Sequence, residues 1–324
     1  MRTYVLRRIL INIPVIWLVV TLVFLATSVL PGDFVVQRIA ASDPTNTDPK
    51  AKEEQIRAIR AELGLNDSVG IRYVKYLGDL ARGDLGQSFT TKRSSVSSLK
   101  EGLPYTIQLS VMSLIIGFAT AIPIGIISAI RQDSPVDYVL RIMAIVSLAA
   151  PPFWVATMFA LYVTRWNWFD IPVSAQPLFW DDPVESLKLF AIPALVGGLA
   201  SGAGIMRLLR SQMLEVLRQD YIRTAWAKGV RERVVIGRHA LKNALVPVVT
   251  VMGLTIAGLL SGNVVLENIF GIPGIGRRIL FAISARDVPV IQAFVIVIAT
   301  FVVFVNLAVD LLYGVLDPRI RYGR

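Results

Sequence analysis

Long apolar runs alternate with short charged ones along this chain, and the pattern predicts an all-α fold with six membrane-crossing helices. Residues 9–30, ILINIPVIWLVVTLVFLATSVL, hold no charge. As a helix rising about 1.5 Å per residue they cover about 33 Å, enough for a bilayer core. A cleaved signal peptide competes with this reading, but its apolar region would be shorter and Ala26-Thr27-Ser28 is only a passable cleavage site. A retained first helix fits better, with Pro14 in its first turns, where a missing amide proton costs least. Further spans are expected at about 105–130, 139–164, 189–209, 244–266 and 289–315. The third contains Pro151-Pro152, which must break its hydrogen bonding, as a packing kink or beside a cavity. The fourth contains GGLASGAG (197–204), small residues that suit a tight helix–helix contact, inside the chain or with a partner subunit.

Residues 31–104 break the apolar pattern with eleven Lys/Arg and ten Asp/Glu. Asp48-Pro49 can start a helix and Gly64 stop one, with Ile56, Ile59 and Leu63 on a shared face. A second amphipathic stretch follows at IRYVKYLGDLARGDLG. The expected organisation is the N-terminus and first helix (1–30), a small helical extracytoplasmic insertion between helices 1 and 2 (31–104), a five-helix core (105–316) and a tail (317–324).

Charge supplies the orientation. Seventeen Lys/Arg fall in the N-terminus, 131–141, 207–242 and the C-terminus, against two in 165–188 and three in 267–288. Six spans with both termini cytoplasmic satisfy that asymmetry. Trp166, Trp168 and Trp180 then suit an interfacial belt. The chain is 54% hydrophobic and 17% charged, against about a quarter charged in soluble domains. Its net charge of +10 therefore reads as orientation in membrane lipid and not as nucleic-acid binding.

Candidate chemistry is sparse. There is no cysteine and a single histidine, His239, so thiolate sites and histidine clusters are excluded. None of the eight lysines follows a glycine, so there is no Gly-Lys-Ser/Thr phosphate loop. The middles of all six spans lack Asp, Glu, Lys, Arg and His, which disfavours an ion-gradient-driven carrier. Asp310, near the inner end of the last span, is either interfacial or turned into the bundle. Thr250, Thr255, Ser261 and Asn263 either line a path or merely bond the backbone, and Glu267 just beyond is a further path candidate.

The most charged stretch between two spans is 215–247, EVLRQDYIRTAWAKGVRERVVIGRHALKNALVP. TAWAK (224–228) is helix-forming, Gly229 follows where a helix would stop, and VVIGRHALKNAL then runs toward Pro247. Such a loop either only sets topology or docks a cytoplasmic partner. RTAWAKG, then Ile236 and HALKNALVP, resembles the EAA loop of ABC-transporter permeases in its dipeptide/oligopeptide version, carried by Arg223, Thr224, Ala225, Ala227, Gly229, Arg238, His239, Leu241, Asn243 and Ala244. Arg223-Thr224 stand where the general loop has Glu-Ala, and Lys242 where many members have Pro. Leu63-Gly64-Leu65, Tyr73, Leu77, Gly83-Asp84-Leu85-Gly86 and Ser88 resemble the first external region of the same branch, with Val69 and Ser95 replacing prolines often found nearby. ENIFGIPGIGRRILFAISARDVPVIQA (267–293) resembles its last external loop.

The resemblance implies a permease subunit of an ATP-driven importer for di- or oligopeptides. It implies a second homologous permease as heterodimer partner, two ABC ATPase subunits carrying ATP and Mg, an extracytoplasmic substrate-binding protein, and no enzyme activity or cofactor in this chain. Arg223, Thr224, Ala225, Ala227, Lys228, Gly229 and Val230 would then contact the ATPase, and Phe270, Pro273, Gly274, Gly276 and Asp287 would form an external loop or gate. The same architecture importing a nickel chelate, glutathione or a sugar is the alternative within the family.

Overall fold

The computed structural model describes residues 2–29, 35, 49–62, 65–166 and 176–316. The order is α1 (Arg2–Val29), α2 (Pro49–Glu62), α3 (Val69–Ala81), α4 (Ser95–Ile130), α5 (Pro135–Ala149), α6 (Pro152–Arg165), α7 (Pro183–Leu217), α8 (Asp220–Ala227), α9 (Glu232–Val234), a π-helical turn (Val235–Ala240), α10 (Leu241–Gly262), α11 (Val264–Ile269), α12 (Ile275–Ser284) and α13 (Val288–Leu316). Among the described residues the one β-type pairing is an isolated bridge, Gln87 with Ser94. Among the described residues, five helical stretches are long and apolar enough to cross a membrane, and α5 with α6 makes a sixth if counted as one span bent by 96°.

That bend is larger than a packing kink. Two successive prolines push the residues before them out of the helical region, and Ala150 (ψ 123°) and Pro151 (ψ 127°) are both extended. Pro152 then starts α6 at N1, where a proline belongs. Pro14 departs from expectation. Helix α1 already starts at Arg2, because the basic lead-in continues the helix, so Pro14 lies in its interior and not in its first turns. Leu63, Gly64 and Trp168 lie outside the described residues, as do the side chains of Ser261 and Asp310.

The chain forms two compact units. The first comprises residues 1–10, 102–277 and 301–324. Its axis is α7, which packs against α5, α6, α8, α10 and α11 and buries Phe190, Ile205, Leu209 and Met213 completely. Asp182 starts α7 by accepting the amide protons of Val184 and Glu185 at 3.1 and 3.0 Å. The glycine-rich stretch expected to meet another helix meets α4 of the same chain. A Cβ on Gly198 would lie 2.7 Å from the Ser113 carbonyl oxygen, and one on Gly202 2.8 Å from that of Gly117. Backbone touches backbone there, so only glycine fits.

The second unit comprises residues 11–101 and 278–300. Helix α3 docks on α1 through Tyr73, whose hydroxyl shares a 2.7 Å hydrogen bond with that of Thr21. Phe24 packs against the rings of Tyr73 and Tyr76 at 5.2 and 5.4 Å. Gln292 ties α13 to α1 by donating to the Thr27 hydroxyl at 2.7 Å.

Candidate functional site

The 215–247 loop builds a short helix with a defined end. Helix α8 runs to Ala227, and Gly229 adopts φ +74°. The amide of Gly229 donates to the Trp226 carbonyl at 2.9 Å and that of Val230 to the Ala225 carbonyl at 3.2 Å. These two bonds make a Schellman cap, which needs a residue in the left-handed region after the helix. The glycine expected as a helix stop is that residue.

One face of α8 is anchored. Ile222 is fully buried, in the same core as Met213, Val235 and Ala240, and Ala225 and Val230 pack against that core. Asn243 donates to the Tyr221 hydroxyl at 2.8 Å and to the His239 carbonyl at 3.0 Å, tying α8 to the start of α10. The other face is open: Arg223, Thr224, Trp226, Ala227 and Lys228 are all exposed. Thr224 spends its hydroxyl on the Asp220 carbonyl at 2.9 Å, and Arg223 reaches Asp220 only at 3.6 Å in an exposed pair. An aromatic, two cations and small residues are thus presented on a helix whose opposite face is fixed.

Close to the end of α7 that leads into α8 lies a constellation that the sequence reading missed. Asp137 is fully buried and receives Arg210 in a two-point pair, Nε to Oδ1 at 2.8 Å and Nη2 to Oδ2 at 2.7 Å. Ser128 donates to the same carboxylate at 2.5 Å and the Asp133 amide at 3.1 Å. Ser134 and Pro135 set Asp137 in the first turn of α5, the Ser134 hydroxyl accepting the Asp137 amide proton at 3.3 Å.

The remaining expected residues divide among three places. Thr250 is half-buried, and Thr255 donates to the Val251 carbonyl at 2.7 Å, the local role left open by the sequence. Asn263 is enclosed and donates to Ser110 on α4 at 2.8 Å. Glu267 is fully buried and accepts the Thr106 hydroxyl at 2.7 Å and the Arg277 amide at 3.0 Å, while the Ile275 amide donates to Thr106 at 2.9 Å. Its carboxylate therefore satisfies the free N–H end of α12.

Gly274 and Gly276 leave the room this requires. A Cβ on Gly276 would lie 2.6 Å from the Val264 Cα, and one on Gly274 would strike the carboxylate itself. Phe270 is buried beside Ile272, with Pro273 following in the turn before α12. Asp287 belongs to the other unit, where its buried carboxylate accepts the Ser88 hydroxyl at 2.5 Å and the amides of Phe89 and Thr90 at 2.9 and 3.3 Å.

Comparison with known proteins gives this arrangement a family. A family model described as "Binding-protein-dependent transport system inner membrane component" matches residues 121–322. The chain belongs to that family. It is 38% identical to the dipeptide transport system permease protein DppB of Alkalihalophilus pseudofirmus, over 99% of this chain and 100% of that one. It is 37% identical to the oligopeptide transport system permease protein AppB of Bacillus subtilis, again over 99% and 100%. Among solved structures, the MetNI methionine ABC transporter, described in inward-facing conformations, aligns with a TM-score of 0.56 and 14% identity over 68% of this chain and 97% of that one, a likeness of fold. As an inner membrane component of a binding-protein-dependent system, the chain is a multi-pass membrane protein, and membership stands against the ion-gradient reading.

Proposed function

We propose that this chain is one permease subunit of an ATP-driven importer of di- or oligopeptides. The observation that carries the proposal is α8: a capped helix with one face locked into the permease core and the other open, in a chain with no nucleotide loop of its own. The full-length alignment with dipeptide and oligopeptide permeases supports the substrate class. Two ATPase subunits carry ATP and Mg, and one of them receives the open face of α8. A second homologous permease completes the pathway as a heterodimer, and an extracytoplasmic binding protein delivers the peptide to the side on which 31–104 lies. Both termini are cytoplasmic, following the Lys/Arg asymmetry. ATP binding can drive the cycle only by favouring one permease state over the other, and α8 is where that preference is expressed.

The test is uptake of a labelled dipeptide into proteoliposomes holding the whole complex and its binding protein. Uptake should require ATP on the ATPase side, persist with ionophores present, and resist competition by a nickel chelate, glutathione or a sugar. Uptake driven by a proton or sodium gradient without ATP would overturn the proposal, and displacement by one of those competitors would overturn its substrate class.

A further inference from the structure

Among the described residues, two buried carboxylates of the first unit serve different ends. Glu267 caps a helix. Asp137 does something else: its four donors come from three places in the chain, Ser128 near the end of α4, the Asp133 amide in the α4–α5 turn, and both guanidinium nitrogens of Arg210 on α7. Arg210 stands two turns before Leu217, where α7 ends, and α8 starts three residues later at Asp220.

The packing around the pair defines what it connects. Where the middles of α4, α5 and α7 meet lies an open apolar pocket of about 120 Å3, whose walls include Ala121, Leu140, Met143 and Met206. Helix α5 packs on α7 around this opening, with Ala144 in the same buried core as Ala203 and Met206. Its polar ties to α7 are Ser147, donating to the Leu199 carbonyl at 3.2 Å, and the Asp137–Arg210 pair at the end nearest α8. A two-point guanidinium–carboxylate pair resists both sliding and rotation, because each oxygen is held separately.

We propose that Asp137 and Arg210 are positioning residues for energy coupling: they form the strut that carries displacement of α8, through the end of α7, into α5 and on to the break at 150–152. The inference rests on the ATP-driven reading above. Motion imposed on α8 passes first to α7, because Ile222 and Met213 share one buried core. Helix α5 shares that core through Ala144, and the strut adds the directional polar link that keeps it from slipping on α7. Without it, ATP is hydrolysed while α5 lags, and transport per ATP falls.

The experiment measures ATP hydrolysis and labelled-dipeptide uptake in the same proteoliposomes, for wild type, Asp137→Asn and Arg210→Lys. Both variants should assemble with the ATPases and hydrolyse ATP near the wild-type rate, with uptake per ATP reduced about tenfold, within the range of a coupling free energy. The cysteine-free chain allows a second arm. The double variant Asp137→Cys/Arg210→Cys should be uncoupled when reduced and regain coupling when bridged by a short bis-methanethiosulfonate. A purely structural pair would lower thermal stability and leave uptake per ATP unchanged. That result overturns the strut, as does a bridged protein that stays uncoupled. A wild-type complex without ATP-dependent uptake overturns the functional reading and the strut with it.

Discussion

Replacing Gly229 by valine isolates one physical quantity, the cost of the turn that ends α8. Gly229 sits at φ +74°, and a Cβ built there would meet no atom within 4 Å. No clash enters the account, so the whole cost is conformational. Holding a non-glycine residue in the left-handed region costs about 1–2 kcal/mol, and β-branching adds to it. If the residue escapes to negative φ instead, both Schellman bonds are lost, from Gly229 to Trp226 and from Val230 to Ala225. Either way α8 loses its fixed end by an amount comparable to a coupling free energy of about 1–3 kcal/mol, and small beside the packing of the bundle.

Gly229→Val should therefore insert and assemble normally, and binding-protein-stimulated ATP hydrolysis should fall about 5- to 30-fold, the factor that 1–2 kcal/mol sets. Asparagine tolerates the left-handed region, so Gly229→Asn should keep most of the stimulation, with alanine between. The assay is ATPase activity of the reconstituted complex, with and without loaded binding protein. Wild-type stimulation in the valine variant would refute the reasoning. So would an asparagine variant as impaired as the valine one, since the defect would then not follow φ.

Three further outcomes follow from the packing. Gly198→Ala should destabilise the protein by about 1–3 kcal/mol, because its Cβ would stand 2.7 Å from the Ser113 carbonyl oxygen, whereas Gly204→Ala, with open space around it, should not; thermal melting in detergent compares the two. Thr106→Val removes a donor to the buried Glu267 and the acceptor of the Ile275 amide, and should cost about 1–3 kcal/mol for each group left unpaired, read by the same melting assay. Asp287→Ala should free the 88–90 turn from its three bonds, and limited proteolysis should then cut there far faster than in wild type.

The spans were legible because a bilayer demands about 20 apolar residues in a row, and such runs cannot be hidden in a sequence. The end of α8 was legible because a glycine after a short helical stretch has few other uses. The Asp137–Arg210 pair was not, since its members are 73 residues apart and Arg210 looks like one more topology charge. A signal did exist. Arg210 falls four residues after Met206 and three before Met213, both buried, so it lies near the core face of α7. Ser134-Pro135 two residues ahead of Asp137 is likewise a helix start that places an acid in the first turn. The double proline announced a break but not its size, because local sterics say that a helix must stop and not in which direction it resumes. Asn263 and Glu267 were read as candidates for a path because polarity near a span end points to water as readily as to a neighbouring helix. Their partners, Ser110 and Thr106, lie one turn apart on α4 and become visible only once the helices are packed.

The account stands most directly on whether the open face of α8 meets an ATPase. Cysteines placed singly at Thr224 and Ala227 of this cysteine-free chain are exposed on that face. In the assembled complex both should cross-link to an ATPase subunit with a short bifunctional thiol reagent, while one at Ser97, exposed at the start of α4, should not. An active complex in which neither 224 nor 227 gives an ATPase adduct, or in which only 97 does, would contradict the assignment of α8 as the coupling element.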